Sequence, residues 1–246
     1  MTATPPGTDP ETGLEATPET TPDLWHDYGR ARAATDREVP ERFRWTWGQD
    51  SGPGAEVLGD LDGACVADLG AGAGRHAAYL AVRHRPARVD AVDSSPAQRA
   101  TAAELYGHLG PRLRIVPGEV AAYLRTVPAA YDVLYSVFGA VDFTDPQDLL
   151  PAAATALRPG GRLVFSTLAH CVTGAPARAD GAPGRVAMTT PDGVAATLPR
   201  WVLTERVWVG LLGRVGFTDV AVEVWPATAD GPRRAATLLV SARRPT

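Results

Sequence analysis

The chain has 246 residues, 45% of them apolar, and a formal net charge of −4. Its 24 Lys+Arg residues are all arginine, which excludes a Schiff-base lysine and the lysine of a phosphate-binding P-loop. This length and apolar content predict one globular domain with a large core.

The negative charge is concentrated at the N-terminus, where residues 1–23 carry five carboxylates and no base. The rest of the chain holds 23 of the 28 acids against 24 arginines, a sum of +1. A remainder this close to neutral argues against a nucleic-acid partner. Because residues 1–22 are rich in Pro, Thr and Glu, we expect them to form a disordered acidic tail.

Signals for export or membrane insertion are absent from the sequence. It starts with Thr, Pro, Gly and acids, and no stretch of about 18 apolar residues follows, so we expect a cytoplasmic protein with no membrane partner. Cys65 and Cys171 lie far apart and lack a metal or redox spacing. Reduced thiols and no bound metal are the expectation.

The first elements after the tail read as strand, turn, helix and strand. Three of the six tryptophans fall within residues 23–59, and residues 64–69 then form an apolar run that ends at a glycine-rich turn. A helix is predicted over 75–84, a strand over 87–92, and a helix from Pro96 to about residue 109 with Ser95 as its cap.

The second half continues the alternation. Strands are predicted over 113–116, 131–137 and 162–167, and a helix over 146–157. Residues 171–199 contain several Gly and Pro and are predicted to be a long insertion. A helix over 204–215 and strands over 219–225 and 235–243 follow. This alternation predicts an α/β fold, a doubly wound and mostly parallel sheet with helices on both faces and an antiparallel pair at one edge.

The glycine-rich turn, Gly70-Ala71-Gly72-Ala73-Gly74, has the spacing G-x-G-x-G rather than G-x-G-x-x-G. Glycines let backbone approach a ligand, and Asp68 before the turn would repel a pyrophosphate but suits a cationic amine. The turn therefore favours a zwitterionic amino-acid group. The alternative is that its glycines serve the turn geometry alone.

Two acids after the turn extend this pattern. Asp93 follows the second strand about 20 residues on, where a carboxylate can accept both hydroxyls of a ribose. Glu119 follows the third strand and could bind an adenine amino group, or it could serve only as an acid at a helix N-terminus.

With these three sites in order, the chain resembles the class I S-adenosylmethionine-dependent methyltransferases over roughly residues 60–243. The resemblance implies S-adenosylmethionine as cofactor, a seven-stranded sheet with a reversed last strand, and a domain over 60–246 preceded by an aromatic lid over 23–59. The lid would include Trp25, Tyr28, Trp45 and Trp47, although each could instead pack on the sheet edge. The cofactor-binding residues it implies are Tyr28, Asp68, Gly70, Ala71, Gly72, Gly74, Asp93, Ser94, Gly118, Glu119, Val120, Ser136 and Val137.

The acceptor side offers two candidate catalytic residues, His170 and Asp142. His170 follows a predicted strand and titrates in the useful range, so it is the candidate base, with ordering of its loop as the alternative. Asp142 follows the preceding strand. Either it or Asp145 could cap the helix that begins at Pro146.

The function predicted is methyl transfer to a small-molecule acceptor in natural-product metabolism, such as antibiotic biosynthesis in an actinomycete. Two alternatives remain open: an oxidoreductase with an NAD-type cofactor, and a non-catalytic binding module with the methyltransferase fold. Acceptor, methylated atom and oligomeric state are left open, with a homodimer as one candidate.

Overall fold

The computed structural model describes residues 22–28, 37–228 and 234–246. The tail expected over 1–22 lies outside these residues except for Pro22. Within the described residues, seven strands form one sheet, and a separate two-stranded hairpin follows the fifth strand. The strands are β1 (Cys65–Leu69), β2 (Arg88–Asp93), β3 (Leu113–Pro117), β4 (Tyr131–Val137), β5 (Leu157–Leu168), β6 (Gly184–Thr189), β7 (Ala195–Arg200), β8 (Thr218–Trp225) and β9 (Thr237–Arg243).

The order of strands across the sheet is β3-β2-β1-β4-β5-β9-β8. Strands β1 to β5 run parallel to their neighbours, whereas β9 is antiparallel to both β5 and β8. The predicted mostly parallel sheet with a reversed last strand is confirmed. Because the order changes direction between β1 and β4, the carboxyl ends of these two strands flank a crevice in which ligands bind in such sheets.

Helices cover both faces of the sheet, as predicted. On one face, side chains of β4 and β5 pack against three helices that contribute residues such as Leu124, Leu149 and Trp208. On the other face, Val66 and Tyr135 pack against the first helix and the segment that contains Trp45. The helices are α1 (Arg75–Arg83), α2 (Pro96–Tyr106), α3 (Val120–Arg125), α4 (Ala140–Phe143), α5 (Pro146–Ala156) and α6 (Glu205–Val215).

Two predicted helix starts are present with their caps. The Ser95 side chain accepts a hydrogen bond from the Gln98 N–H, and Pro96 opens α2. Asp145 accepts from the Gln147 N–H at 2.8 Å, and Pro146 opens α5. Asp145, and not Asp142, therefore caps α5.

Three elements differ from the sequence expectation. The short helices α3 and α4 were not predicted, because six and four residues are too few for a clear helical period. The insertion expected over 171–199 contains the hairpin β6–β7, whose strands pair from Gly184 with Arg200 to Thr189 with Ala195. The hairpin contacts the main domain through α4.

The turns after β1 and β4 touch each other at the crevice. A Cβ on Gly70 would lie 2.3 Å from the Ala140 nitrogen, and a Cβ on Gly139 would lie 2.5 Å from the Leu69 oxygen. Gly70 also has a φ of 78°, which favours glycine. The close approach of two backbones requires glycine at both positions, whatever the turn binds.

Candidate functional site

Two neighbouring cavities open at the carboxyl ends of β1, β2 and β4. The first has a volume of about 250 Å³ and contains Asp93, Ser94 and Glu119; we call it the Asp93 cavity. The second, of about 270 Å³, contains Arg42, Arg44 and Arg75 and is called the arginine cavity. Their walls share five residues, which are Tyr28, Gly70, Gly72, Gln98 and Phe138. The two cavities therefore meet at the glycine-rich turn.

Asp93 ends β2 and is held in place by backbone N–H groups. Its Oδ1 accepts from the Ser95 N–H at 2.8 Å, and its Oδ2 accepts from the Gly72 N–H at 2.7 Å. Burial raises the pKa of this carboxyl, and these two hydrogen bonds oppose the rise. Each carboxylate oxygen has a further lone pair, so Asp93 can still accept two hydroxyl groups from a ligand.

Glu119 caps a helix and also lies in the wall of the Asp93 cavity. Its Oε2 accepts from the Ala122 N–H at 2.9 Å, which caps α3, and the residue also lines the Asp93 cavity. Its neighbour Val120 lines the same cavity. Glu119 is exposed and its other oxygen lies 3.5 Å from the Thr144 hydroxyl, so it remains accessible to a ligand amino group.

The segment after β4 forms the wall between the two cavities. Phe138 has a φ of 50°, unusual for a bulky residue, and lines both of them. Strained backbone of this kind persists where the surrounding structure fixes it, and it is concentrated at functional sites. Phe143 and Thr144 continue this wall in the Asp93 cavity.

Residues 22–28 cover the Asp93 cavity and are tied to the start of α2. Asp23 accepts from the Ser95 hydroxyl at 2.8 Å and from the Ala97 N–H at 3.1 Å. The Gln98 side-chain amide donates to the carbonyls of Trp25 and Tyr28 at 2.8 and 2.7 Å. Trp25 and Tyr28 both line the cavity, and the lid expected over 23–59 stays a prediction.

The arginine cavity is basic. None of its described lining residues is acidic, whereas three are arginines. Arg44 donates to the Gly52 carbonyl at 2.8 Å, which fixes its guanidinium, while Arg42 is exposed at the mouth. Trp47 and Phe138 add apolar rings to this wall, with their centroids 4.9 Å apart.

The sequence-predicted cofactor residues fall into two groups. Nine of them line one or both cavities, and four do not. The lining residues are Tyr28, Gly70, Ala71, Gly72, Asp93, Ser94, Glu119, Val120 and Val137. The other four are Asp68, Gly74, Gly118 and Ser136.

Two of these four residues, Ser136 and Asp68, form buried hydrogen bonds next to the site. The Ser136 hydroxyl donates to the Leu69 carbonyl at 2.8 Å, which joins the ends of β4 and β1. Asp68 is buried and accepts from the Tyr135 hydroxyl at 2.9 Å. Burial raises the pKa of the Asp68 carboxyl to about 7, although the Tyr135 hydrogen bond opposes the rise. The contact of Asp68 with a cofactor amine stays a prediction.

His170 lines neither cavity, and both of its ring nitrogens face backbone groups. Nε2 accepts from the Ala236 N–H at 3.2 Å, so Nδ1 carries the proton and donates to the Cys171 carbonyl at 3.0 Å. A histidine held in this way cannot take a substrate proton without losing a hydrogen bond. The geometry therefore favours the alternative, in which His170 orders its loop.

Asp142 also lines neither cavity. Its carboxylate is fully buried, and its Oδ2 accepts two hydrogen bonds from Arg200, at 3.0 Å from Nε and 2.6 Å from Nη2. Burial raises the pKa of this carboxyl, and the Arg200 charge opposes the rise. A carboxylate enclosed in this way is a structural partner of Arg200 rather than a base in contact with substrate.

Some residues of the site were missed from the sequence, and one of the four lid candidates follows the packing alternative. Trp45, expected in the lid, is fully buried, donates to the Gly54 carbonyl and packs on Phe43, so it belongs to the core. Arg42 and Arg44 alternate with these two buried aromatics, a pattern that could have indicated a polar face. Leu198 reaches the Asp93 cavity from β7, and no local pattern indicates this.

One further cleft lies away from the two cavities. A cleft of about 600 Å³ between α5 and α6 shares no residue with the two cavities. The described ranges contain no group of three or more His, Cys, Asp or Glu side chains that could hold a metal ion. Among the described helices, none has the length and apolarity that crossing a membrane requires.

Comparison with known proteins agrees with this geometry. Residues 66–161 match the model of a family described as a methyltransferase domain. A trans-aconitate 2-methyltransferase from Deinococcus radiodurans is 28% identical over 227 residues, which cover 85% of this chain and 75% of the relative.

Solved structures give the same fold. An S-adenosylmethionine-dependent methyltransferase from Mesorhizobium loti is 25% identical with a TM-score of 0.55, over 76% of this chain and 94% of that one. A Burkholderia thailandensis 1,6-didemethyltoxoflavin-N1-methyltransferase, solved with that compound and S-adenosylhomocysteine, is 27% identical with a TM-score of 0.54, over 78% and 75%.

The oxidoreductase alternative has no support from these comparisons or from the spacing of the turn. This structure combines the G-x-G-x-G turn, the acid that ends β2 and the reversed β9. The family model spans the turn and both Asp93 and Glu119. The chain is an S-adenosylmethionine-dependent methyltransferase with the class I fold.

Proposed function

We propose that this enzyme transfers a methyl group to a small acceptor that carries carboxylates, with the adenosine of the donor in the Asp93 cavity and the acceptor in the arginine cavity. The observation that carries the proposal is the basic lining of the arginine cavity where it meets the glycine-rich turn. The volume of each cavity is below the roughly 300–1,000 Å³ of a typical ligand pocket. We therefore expect donor and acceptor together to occupy both cavities.

The Asp93 cavity fits an adenosine. Asp93 has lone pairs left for two ribose hydroxyls, because Ser95 and Gly72 each use only one. Glu119 offers an acceptor for an amino group, and Trp25 and Tyr28 offer rings over the base. The glycine-rich turn, which lines both cavities, would lie along the amino-acid end of the donor and direct its sulfur toward the arginine cavity.

The charge of the arginine cavity indicates the acceptor class. The donor carries one carboxylate, one ammonium and one sulfonium, so it brings a net positive charge toward Arg42, Arg44 and Arg75. One guanidinium can pair with the donor carboxylate, and the others can bind anions from a second ligand. An acceptor with carboxylates supplies those anions, and arginine binds them through two parallel hydrogen bonds.

A carboxylate acceptor also removes the need for a catalytic base. When bound, the donor supplies a methyl group that is already activated on a sulfonium. The chain then has to align the two ligands and exclude water, and alignment alone can supply roughly 7–11 kcal/mol. A carboxylate is ionised at neutral pH and needs no proton removed. This matches a site in which both nitrogens of His170 are used by backbone.

A second candidate is a planar heteroaromatic acceptor in natural-product metabolism, such as an antibiotic precursor. The rings of Trp47 and Phe138 in the arginine cavity favour it, since they offer faces for stacking. The Burkholderia relative is named for an acceptor of this kind, and the Deinococcus relative is named for a tricarboxylate. We place the carboxylate first because the aromatic rings suit either acceptor, whereas the arginines suit only the anion.

The test is methyl transfer to a matched set of acceptors, followed as S-adenosylhomocysteine formed. The set contains trans-aconitate, its neutral trimethyl ester and neutral heteroaromatic compounds. We expect turnover of trans-aconitate or a related polycarboxylate and none of the ester. Turnover of the neutral heteroaromatics with none of the acids would overturn the carboxylate assignment. Absence of any turnover although the cofactor binds would count against both acceptor classes.

A further inference from the structure

Arg200 joins three segments that are far apart in the sequence and that surround both cavities. It ends β7, the second strand of the hairpin, and its side chain forms an ion pair with Asp142 of α4. The next residue reinforces the junction, because the Trp201 N–H donates to the Asp142 carbonyl at 2.8 Å. The guanidinium also contacts Trp47 of the N-terminal segment.

The guanidinium of Arg200 contacts two aromatic rings. Its Cζ is 5.2 Å from the centroid of the Phe143 ring and 5.2 Å from that of Trp47. Both distances are within the range of a cation–π contact. Phe143 lines the Asp93 cavity and packs edge-on against Trp25 at 4.7 Å, whereas Trp47 lines the arginine cavity. Arg200 thus contacts one ring from each cavity without lining either.

The ion pair itself fixes geometry more than it adds stability. Arg200 donates twice to the same oxygen of Asp142, and the Thr167 hydroxyl beside the carboxyl lowers its pKa, as the Arg200 charge does. Such pairs contribute little relative to apolar side chains of similar volume, because desolvation offsets the attraction. The ion pair fixes the position of the guanidinium beside the two rings.

We propose that Arg200 is a positioning residue of the methyl-transfer site, which acts through Phe143 on the donor in the Asp93 cavity. With Asp142 fixing the guanidinium and Trp47 in contact with it, the guanidinium holds the Phe143 ring against Trp25. The ring forms part of the wall of the cavity that contains Asp93. The hairpin thereby takes part in donor binding through a residue that does not touch the donor.

The experiment is a double-mutant cycle read by calorimetric titration with S-adenosylhomocysteine, which needs no acceptor. Arg200→Lys keeps a charge beside Asp142 but removes the planar group that stacks on the ring. We expect it to weaken S-adenosylhomocysteine binding about fivefold, the size of one cation–π contact. In the Phe143→Leu background, the same change is expected to alter binding by less than about twofold.

The control is the ion pair of Arg88 with Asp90, in which Asp90 is fully buried and lies three residues before the end of β2. Arg88→Lys should lower Tm with S-adenosylhomocysteine affinity unchanged. If Arg200→Lys does not fold, the charge-free pair Asp142→Asn with Arg200→Gln takes its place in the cycle. Unchanged affinity in a folded Arg200 variant, or equal effects with and without Phe143, would overturn the proposal and leave Arg200 a purely structural residue.

Discussion

The Asp93 cavity and the arginine cavity adjoin each other, but they are built in different ways. The Asp93 cavity takes its acids from the ends of β2 and β3, and Asp93 is held by backbone N–H groups. The arginine cavity takes Arg42 and Arg44 from a segment before the sheet, and Trp47 is held there by side-chain contacts. One cavity has acidic residues in its wall and the other has arginines.

This difference distinguishes the part of the site that the fold determines from the part that is particular to this chain. Strand ends at a topological switch point are fixed by the sheet, so the Asp93 cavity follows from the fold. Segments outside the sheet are free to vary, and they determine which acceptor fits. Changes at the turn should therefore affect fold and donor together, whereas a change at an arginine that pairs with the acceptor should affect the acceptor alone.

Breaking the contact between the β1 and β4 turns should have the largest effect. Gly70→Ala places a Cβ 2.3 Å from the Ala140 nitrogen at a φ of 78°, so we expect a loss of more than about 4 kcal/mol in the free energy of unfolding. Gly181→Ala is the matched control, with a φ of 75° and nothing within 4 Å of the added Cβ. It should cost only about 1–2 kcal/mol in urea denaturation. Equal losses would contradict the requirement for glycine at residue 70.

The buried Asp68 predicts a pH dependence of stability. Its pKa of about 7 exceeds the usual 3.8, so the folded state binds its proton more tightly than the unfolded state. The free energy of unfolding should therefore fall as pH rises between 4 and 7, by up to about 4 kcal/mol relative to Asp68→Asn. Denaturation of both proteins between pH 4 and 8 measures the difference. A constant difference across this range would show that the Asp68 carboxyl is already ionised at pH 4.

Removal of Asp93 tests the donor side of the comparison. Asp93→Ala should weaken S-adenosylhomocysteine binding by more than about tenfold, since charge-assisted hydrogen bonds to two hydroxyls are lost. Asp62→Ala, at an exposed acid paired with Arg85, should leave affinity unchanged. Calorimetry that found equal affinity for the Asp93 variant and the wild type would exclude the ribose assignment.

Substitution of Arg42, an exposed residue of the arginine cavity, tests the proposed acceptor site. Arg42→Gln should raise the KM for trans-aconitate about fivefold, the worth of one exposed ion pair. Affinity for S-adenosylhomocysteine should change less than about twofold, and Arg83→Gln, at the far end of α1, should change neither quantity. An effect of the Arg42 substitution on the donor alone would place the arginine at the amino-acid end of the donor instead.

His170 is expected to give the smallest effect on activity. Because both ring nitrogens are bonded to backbone, His170→Gln should keep turnover within about threefold of wild type, with a lower Tm from the lost loop hydrogen bonds. Loss of turnover by orders of magnitude at unchanged cofactor affinity would restore His170 as the base.

The sequence predicted those parts that depend on local pattern. Alternating strands and helices, the turn before α1 and the caps at Ser95 and Asp145 are set by residues near one another in the chain. Asp93 could be proposed as the ribose ligand because it lies at the carboxyl end of β2.

What the sequence did not predict arises from contacts between distant segments. Asp142 looked catalytic from its place after β4, but Arg200, 58 residues away, encloses it. His170 looked catalytic from its place after β5, but Ala236, 66 residues away, donates to it. Trp45 was assigned to the lid, although its alternation with Arg42 and Arg44 is that of an extended segment with one buried face. Pattern places a residue at the site, and only the packing decides what its side chain can do there.

The most direct test of the two-cavity account is a crystal structure of the enzyme with S-adenosylhomocysteine. The account predicts both ribose hydroxyls within hydrogen-bonding distance of the Asp93 carboxylate, the adenine beneath Trp25 and Tyr28, and the sulfur facing the arginine cavity. A ribose bound elsewhere, or an adenine among Arg42, Arg44 and Arg75, would contradict it.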